Sequence, residues 1–260
     1  MFNAIDKVFY ILDQFTNAKP QWGVRELSAR TGLTPNLTHW YLKNLERNQV
    51  VRKDSQSDKY ELSYRIFELG NRNSKHRVFK IVAQPILKEL SLATKGTAVL
   101  RVLEANELIC VAAAESSYSL RVNYSEGARE PCNFGCIGKL LMAYLDEPEA
   151  ERMIREGHAR KFTPKTVLEL HTLKKEWARI RAQGWVYSSG EAMDGVKAIA
   201  APVRDLSGEV CAGAGVTFPA ILLPKSRVAA VVKAVVKAAN AISLELGWKD
   251  KKLGNTNALK

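Results

Sequence analysis

Six polar or aromatic residues near the N-terminus recur at the spacing of one helix face and its flanks. They are Asn36, His39, Trp40, Lys43, Asn44 and Arg47. Amide and cationic side chains donate hydrogen bonds to base edges and phosphate oxygens, and an aromatic ring can contact a thymine methyl group. Thr38, Tyr41, Leu42 and Leu45 fall on the opposite side at ~100° per residue, which predicts a packed face. The pattern predicts a helix that can lie in a major groove, with Trp40 either contacting DNA or packing on a neighbouring helix.

The residues before this helix predict how it is positioned. Residues 24–30 have helical periodicity, and Gly32 turns the chain. Thr34 can then cap the next helix, whose first turn accommodates Pro35 because proline's fixed φ and missing N–H carry little penalty there. Helix, turn and capped helix together predict a helix-turn-helix. We assign Arg25 and Thr34 to the DNA-binding set as well.

A short basic hairpin follows, with strands over residues 50–53 and 59–62. Arg52, Lys53 and Lys59 would lie near backbone phosphates, which completes a winged helix-turn-helix. Two alternatives stay open. The first alternative to DNA binding is an amphipathic helix pair with an ordinary solvated charged face. The second is a winged helix that binds another protein in place of DNA. Salt separates the latter from a DNA binder, because log K falls with log salt by about 0.9 per neutralised phosphate.

Size and charge fit a two-domain protein with an anionic partner. The chain has 260 residues, of which 46% are hydrophobic, and a net charge of +12. A typical domain has about 100 to 200 residues, so we expect two. The first 80 residues hold 14 Lys and Arg against 8 Asp and Glu, which makes the positive charge denser at the N-terminal end.

Patterns typical of enzymes, metal sites and membrane spans are missing from the sequence. It contains neither G-x-S-x-G nor H-E-x-x-H, so we expect no enzymatic activity and no cofactor. The four cysteines are predicted to be core residues of a cytoplasmic, reduced protein, since a metal site at Cys132 and Cys136 needs partners that the sequence does not place. No signal peptide or apolar run of about 18 residues is present.

The remaining periodicity predicts an α+β fold. We expect a DNA-binding domain over residues 1–70, a linker helix over 71–94, a second domain over 95–248 and a disordered basic tail over 249–260. In the first domain, a helix over residues 4–15 should pack beneath the helix-turn-helix or against a partner chain, and another helix should cover 64–69. The second domain should be antiparallel, with strands at 98–103, 108–114, 120–124, 185–188, 198–204 and 210–218. Helices are predicted at 78–93 with a bend or restart at Pro85, and at 137–145, 148–156, 166–183 and 225–246.

Several short motifs follow one another along nearly the entire chain: Gly32-Leu33, His39, 42–46, 60–62, 67–70, Pro131, Gly138-Lys139, 162–166, Gly195, 199–205 and Gly208. Their order and spacing resemble those of the IclR family of bacterial transcriptional regulators. The resemblance implies a homodimer or dimer of dimers that binds a palindromic operator. It also implies a GAF/profilin-like C-terminal domain that binds a small organic acid. Trp40 departs from the usual Arg of the family, and Thr38 from an aliphatic residue.

A glycine-containing loop at residues 127–138 is the candidate effector site, because it leads into a helix whose first N–H groups attract anions. Gly135 and Gly138 permit close approach of the backbone to a ligand, and Asn133, where the family often has His, could hydrogen-bond the acid. A turn required by geometry alone is the alternative. The resemblance adds Glu191, Asp194 and Thr217, although the family has carboxylates where Ser188 and its neighbours stand and a Cys at Ala198. Cys132, Phe134, Cys136 and Ile137 make the loop apolar, which favours an aromatic or alkyl acid over a sugar acid.

Overall fold

The computed structural model describes residues 3–16, 18–71 and 74–249. It divides into two compact units, Met1–Ser74 and Lys75–Lys260, which are treated separately below. Residues 72–73 of the predicted linker helix and residues 250–260 of the predicted tail lie outside the described residues.

The N-terminal unit contains four helices and three short strands among its described residues. They are α1 (Ala4–Leu12), β1 (Gln21–Trp22), α2 (Val24–Thr31), α3 (Pro35–Arg47), β2 (Val51–Lys53), β3 (Tyr60–Leu62) and α4 (Tyr64–Asn71). The strands form an antiparallel sheet in the order β1-β3-β2. Gly32 ends α2 with φ 71°, in the left-handed region that glycine adopts without strain. The helix-turn-helix and its wing are therefore present as the sequence predicts, while β1 was not predicted.

The core of this unit lies between α1, α2, α3 and the sheet. The residues at its centre include Ile11, Leu27, Leu42 and Tyr60, all fully buried. Helix α1 ends at Leu12 and not at residue 15 as predicted, and Ile5 and Phe9 on its outer side are 66% and 61% exposed, so packing of this helix against a partner chain stays a prediction. A helix of nine residues can bury one stripe against this small core, and here that stripe centres on Ile11.

The C-terminal unit is built on one six-stranded antiparallel sheet in the order β6-β5-β4-β9-β8-β7. Its strands are β4 (Thr97–Glu104), β5 (Glu107–Ala114), β6 (Arg129–Pro131), β7 (Val186–Ser189), β8 (Val196–Arg204) and β9 (Val210–Pro219). Its α-helices are α5 (Ser74–Thr94), α6 (Gly135–Tyr144), α7 (Glu147–Arg155), α8 (Leu170–Gln183) and α9 (Lys225–Glu245). The α+β class predicted from the sequence is confirmed.

Helices cover both faces of this sheet. Leu87 of α5 and Val235 of α9 belong to the core on one face, whereas Leu140 of α6 and Trp177 of α8 belong to the core on the other. Side chains alternate along a strand, so Ala98, Leu100 and Val102 of β4 join the first core and Val99 joins the second. Arg101 lies two residues after Val99 in β4, so its side chain points to the same face of the sheet, toward α6.

Three predicted elements differ from the structure. Residues 120–124 do not form a strand; Arg121 is instead hydrogen-bonded to the side chains of Glu115 and Asn123. Helix α8 begins at Leu170 and not at residue 166, because the Glu169 carboxylate caps it by accepting the N–H groups of His171 and Thr172. Helix α5 begins at Ser74, ahead of the predicted residue 78, and it continues through Pro85, so the predicted restart is absent and the predicted bend stays a prediction. None of the described helices is long and apolar enough to cross a membrane.

Candidate nucleic-acid interface and ligand cavity

The outer face of α3 is exposed, as its periodicity predicts. Asn36, His39, Lys43 and Arg47 are all exposed, and Trp40 is 56% exposed. The opposite face, formed by Thr38, Tyr41, Leu42 and Leu45, is buried. The Trp40 indole meets the neighbouring Tyr41 ring edge-on, with 5.0 Å between centroids, but stays outside the core. The helix thus presents amide, imidazole, indole and cationic groups together on one surface.

One of the predicted DNA-binding residues, Thr34, has a structural role at the start of this face. The Thr34 hydroxyl accepts the Leu37 N–H at 3.4 Å and caps α3. Arg25 lies exposed on α2. Asn44, which flanks the face, is half-buried and donates its side-chain amide to the Trp40 carbonyl at 2.8 Å. These hydrogen bonds stiffen the helix without occupying its outermost side chains.

The cations of the wing are each paired with a carboxylate. Arg52 lies 2.5 Å from Glu61, Lys53 pairs with Asp58, and Lys59 lies 3.3 Å from Glu26 of α2. The Gly23 N–H, followed by Lys59, holds the pKa of Glu26 below its ordinary value. The hydrogen bond that the Lys53 ammonium donates to the Asp58 carboxylate raises the pKa of Lys53. The wing therefore carries less free positive charge than its lysines and arginines suggest.

Arg25 and Arg47 differ from the wing cations. Within the described residues, neither forms an ion pair with a carboxylate. Their guanidinium groups are accordingly free to bind phosphate without first giving up an intramolecular partner. The sequence shows which residues of the wing are cationic, but the carboxylates that pair with them are visible only in the structure.

A cavity lies on the α6 side of the C-terminal sheet. Fourteen described residues line it: Val99, Arg101, Tyr124, Phe134, Gly135, Cys136, Ile137, Ser188, Glu191, Ala192, Met193, Val196, Ala198 and Thr217. Its volume is about 30 Å³, roughly enough for two water molecules. A benzoate-sized ligand therefore requires the lining to move apart.

Six of the eight predicted effector-site residues meet at this cavity. They are Phe134, Gly135, Cys136, Ile137, Glu191 and Thr217. The other two lie elsewhere. The Asn133 side chain donates to the Arg160 carbonyl at 2.8 Å and accepts the Arg160 N–H at 2.9 Å, which leaves its amide engaged away from the cavity. Asp194 is exposed and does not line the cavity.

Sequence reasoning missed Arg101, a buried cation in the wall of the cavity. Its side chain donates to Glu130 at 2.5 Å, and its guanidinium carbon lies 4.5 Å from the Tyr124 ring centroid and 5.4 Å from that of Phe134. Its Nε is buried without a hydrogen-bond partner. A lone arginine within the apolar run of residues 98–103 was the available signal, because a buried guanidinium needs an acceptor.

Tyr124, also missed, lies at the same wall in place of the predicted third strand. Its hydroxyl is 3.2 Å from that of Thr217, and burial raises the pKa of Tyr124. The phenol therefore stays protonated at neutral pH and can donate as well as accept.

The wall around Glu191 is held by buried polar contacts. Lys139 pairs with Glu191 and lies 2.9 Å from Glu176. The Thr166 hydroxyl donates to the Glu191 carbonyl at 2.6 Å. The Lys139 and Thr166 positions belong to motifs singled out in the sequence, and the structure gives them a role in fixing this segment.

The first turn of α6 closes the cavity from the other side. Phe134 precedes the helix without a side-chain cap, so the first N–H groups of α6 depend on other acceptors. Gly138 is needed for packing, because a Cβ there would lie 2.4 Å from the Cys132 carbonyl oxygen. Burial raises the pKa of Cys132 to about 11 and that of Cys136 to about 12, so both thiols stay neutral near pH 7.

Both units match known protein-family models. A model of the IclR helix-turn-helix domain covers residues 4–55, and one described as bacterial transcriptional regulator IclR C-terminal covers residues 73–244. The chain belongs to the IclR family of bacterial transcriptional regulators. It is a DNA-binding regulator of transcription of the IclR type, as its motifs predicted.

Individual IclR-family relatives match along almost all of the chain. The HTH-type transcriptional regulator KdgR of Escherichia coli (strain K12) is 29% identical over 248 residues, which cover 95% of this chain and 94% of that protein. The HTH-type transcriptional repressor AllR of Salmonella typhi is 27% identical and covers 95% and 90%, respectively. These curated relatives are transcriptional regulators.

Solved structures share the fold. The Thermotoga maritima IclR crystal structure has a TM-score of 0.78 at 21% identity, covering 95% of this chain and 99% of that one. An IclR homologue from Microbacterium hydrocarbonoxydans, complexed with 4-hydroxybenzoate, has a TM-score of 0.80 at 21% identity and covers 92% and 97%.

Proposed function

We propose that this IclR-family regulator binds a palindromic operator as a homodimer or dimer of dimers, with its affinity set by a small organic acid in the C-terminal cavity. The observation that carries the DNA-binding part is the outer face of α3, where Asn36, Trp40, Lys43 and Arg47 are exposed together. Amides and cations on one helix face suit the donor and acceptor edges of a major groove. Arg52, Lys53 and Lys59 would reach backbone phosphates by exchanging their carboxylate partners.

Exposed apolar side chains support self-association. Ile5 and Phe9 lie on the outer side of α1, and Tyr64 and Phe67 of α4 are 78% and 68% exposed. Exposed apolar groups of this size favour burial against another surface. A homodimer would cover such a surface and would present two copies of α3 to two half-sites.

The composition of the cavity supports an aromatic or alkyl acid as the effector. Phe134, Ile137, Met193 and Val196 supply apolar contact, and the uncapped start of α6 supplies N–H donors. The homologue that binds 4-hydroxybenzoate provides a precedent in a protein of the same fold. Sugar acids, with a hydroxyl on most carbons, would leave donors unpaired against such walls.

The proposal is tested by selecting an operator from random duplexes with the purified protein and then measuring its binding against a panel of carboxylates. We expect benzoate, 4-hydroxybenzoate, phenylacetate or pyruvate to shift operator affinity, and calorimetry to show binding with one site per chain. Tighter binding of gluconate than of the aromatic acids would refute the aromatic or alkyl class. Failure to select any duplex, together with a shallow salt dependence, would favour the protein-interaction alternative.

A further inference from the structure

We infer that Arg101 anchors the carboxylate of a monoanionic acid in the cavity, together with the N–H groups of the first turn of α6. This inference rests on the proposed organic-acid effector and deepens it, since it names the group that recognises the acid and limits the acid to one negative charge. Neither the motifs of the chain nor the predicted effector-site residues include Arg101.

The buried guanidinium of Arg101 has an unused hydrogen-bond donor. Arg101 is 3% exposed, and among the described residues its side chain hydrogen-bonds to Glu130, which lies outside the cavity lining. Its Nε is buried without a partner. An unsatisfied donor of a buried cation is costly, and a ligand oxygen would remove that cost. A carboxylate can accept from the fork of a guanidinium at two positions.

The start of α6 independently offers N–H donors to the same cavity. Gly135, Cys136 and Ile137 line the same cavity as Arg101, and their N–H groups begin a helix that has no side-chain cap. The partial positive charge of a helix N-terminus favours an anion at this position. Arg101 and the uncapped turn therefore present donors to the same small volume.

The charges of the lining limit the ligand to one carboxylate. Among the fourteen described lining residues, Arg101 is cationic and Glu191 is anionic, and Glu191 is already paired with Lys139. A second ligand carboxylate would find no second cation in the lining, and Glu191 would repel it. A hydroxyl at the far end could instead donate to Glu191 or exchange hydrogen bonds with Tyr124 and Thr217, which lie 3.2 Å apart.

The rings beside Arg101 favour a planar acid. Tyr124 and Phe134 lie 4.5 and 5.4 Å from the guanidinium carbon, and Phe134 packs edge-on against Phe162. These cation–π contacts hold the guanidinium beside aromatic rings. An aromatic body attached to the carboxylate would contact the same rings.

The test compares each acid with its neutral methyl ester in the full-length protein. Calorimetry uses benzoate, 4-hydroxybenzoate, phenylacetate and pyruvate, each with its ester, on the wild type and on Arg101→Met and Arg101→Lys. For the acid that binds the wild type most tightly, we expect Arg101→Met to weaken binding roughly 10- to 150-fold, the size of a lost charge-assisted hydrogen bond. The neutral ester should bind weakly to both proteins, because it carries no charge for Arg101 to recognise. Loss of the anchor should therefore weaken binding of the acid alone, whereas damage to the fold would weaken binding of acid and ester alike.

Two further variants separate an anchoring role from a structural one. Arg129→Met removes an exposed arginine that pairs with Glu107 at 3.0 Å on the neighbouring strand, and it should leave affinity unchanged. Glu130→Gln releases Arg101 from its competing carboxylate and should tighten acid binding by a factor of a few. If Arg101→Met fails to fold in a thermal melt, Arg101→Lys, which keeps the charge but loses the fork, should still bind the acid more weakly than the wild type.

The outcomes distinguish the two proposals. Wild-type binding of an acid with undiminished binding by folded Arg101 variants would overturn the anchor while leaving the organic-acid effector in place. Absence of wild-type binding to all four acids would overturn both. Binding of the dicarboxylate terephthalate more tightly than benzoate would overturn the limit to one charge.

Discussion

Lys43 and Lys139 each lie 2.9 Å from a glutamate, yet they stand in opposite environments. The side chains of Lys43 and Glu46 on α3 are 54% and 31% exposed, whereas those of Lys139 and Glu176 in the C-terminal unit are 8% and 24% exposed. Water can replace Glu46 as a partner of Lys43 at little cost, and so can a phosphate. Lys139 has no such alternative, because a buried charge that loses its partner is strongly destabilising.

The same contrast extends to the arginines of the two units. Arg52 pairs with Glu61 on the exposed wing, while Arg101 pairs with Glu130 beneath the surface and keeps one buried donor without a partner. Exposed pairs of the N-terminal unit suit exchange with a polyanion in solution. Buried groups of the C-terminal unit suit fixed geometry and selection of one small anion. Two ion pairs of equal length therefore suit different functions, and the difference between them is how deeply they are buried.

The largest effect that tests this contrast is the loss of Lys139. We expect Lys139→Met to destabilise the protein by about 3–5 kcal/mol, because Glu176 and Glu191 would be left without their cation in a poorly hydrated site. Urea denaturation followed by circular dichroism measures the change. The matched control is Lys43→Met, for which the urea midpoint should not move measurably. Similar losses for the two variants would contradict the assignment of burial as the deciding factor.

A smaller effect concerns the salt dependence of DNA binding. Arg47, without a carboxylate partner among the described residues, should lower the slope of log K against log salt by about 0.9 when replaced by Ala. Arg52→Ala should lower it less, since Glu61 already neutralises part of that charge at 2.5 Å. Fluorescence anisotropy with the selected operator at several salt concentrations gives both slopes. Equal reductions would contradict the idea that Glu61 lowers the contribution of Arg52 to phosphate binding.

Local sequence patterns predicted most of the fold but only part of the sites. Periodicity predicted α3 and its exposed face because a helix repeats within a few residues, and two short apolar runs on either side of a turn predicted β4 and β5. The glycines at the start of α6 and the loop before it predicted an anion site there. These features depend on neighbours in the chain.

The missed features depend on residues far apart in the chain. Lys59 meets Glu26 across 33 residues, and Asn133 meets Arg160 across 27, so neither pairing leaves a mark in local sequence. Arg101 was visible as an interruption in an apolar strand, but its place at a cavity follows from the pairing of β4 with β9 and the packing of α6 on that sheet. The polar contacts of a site are therefore harder to predict than the elements that carry it.

The central claim, that the exposed face of α3 reads DNA, is tested most directly by one titration. Fluorescence anisotropy compares the wild type with an Asn36→Ala, Lys43→Ala, Arg47→Ala triple variant on the selected operator and on a scrambled duplex. We predict that the triple variant loses at least about 100-fold in operator affinity and no longer prefers the operator, with an unchanged urea midpoint. Operator affinity and preference equal to those of the wild type would contradict the account.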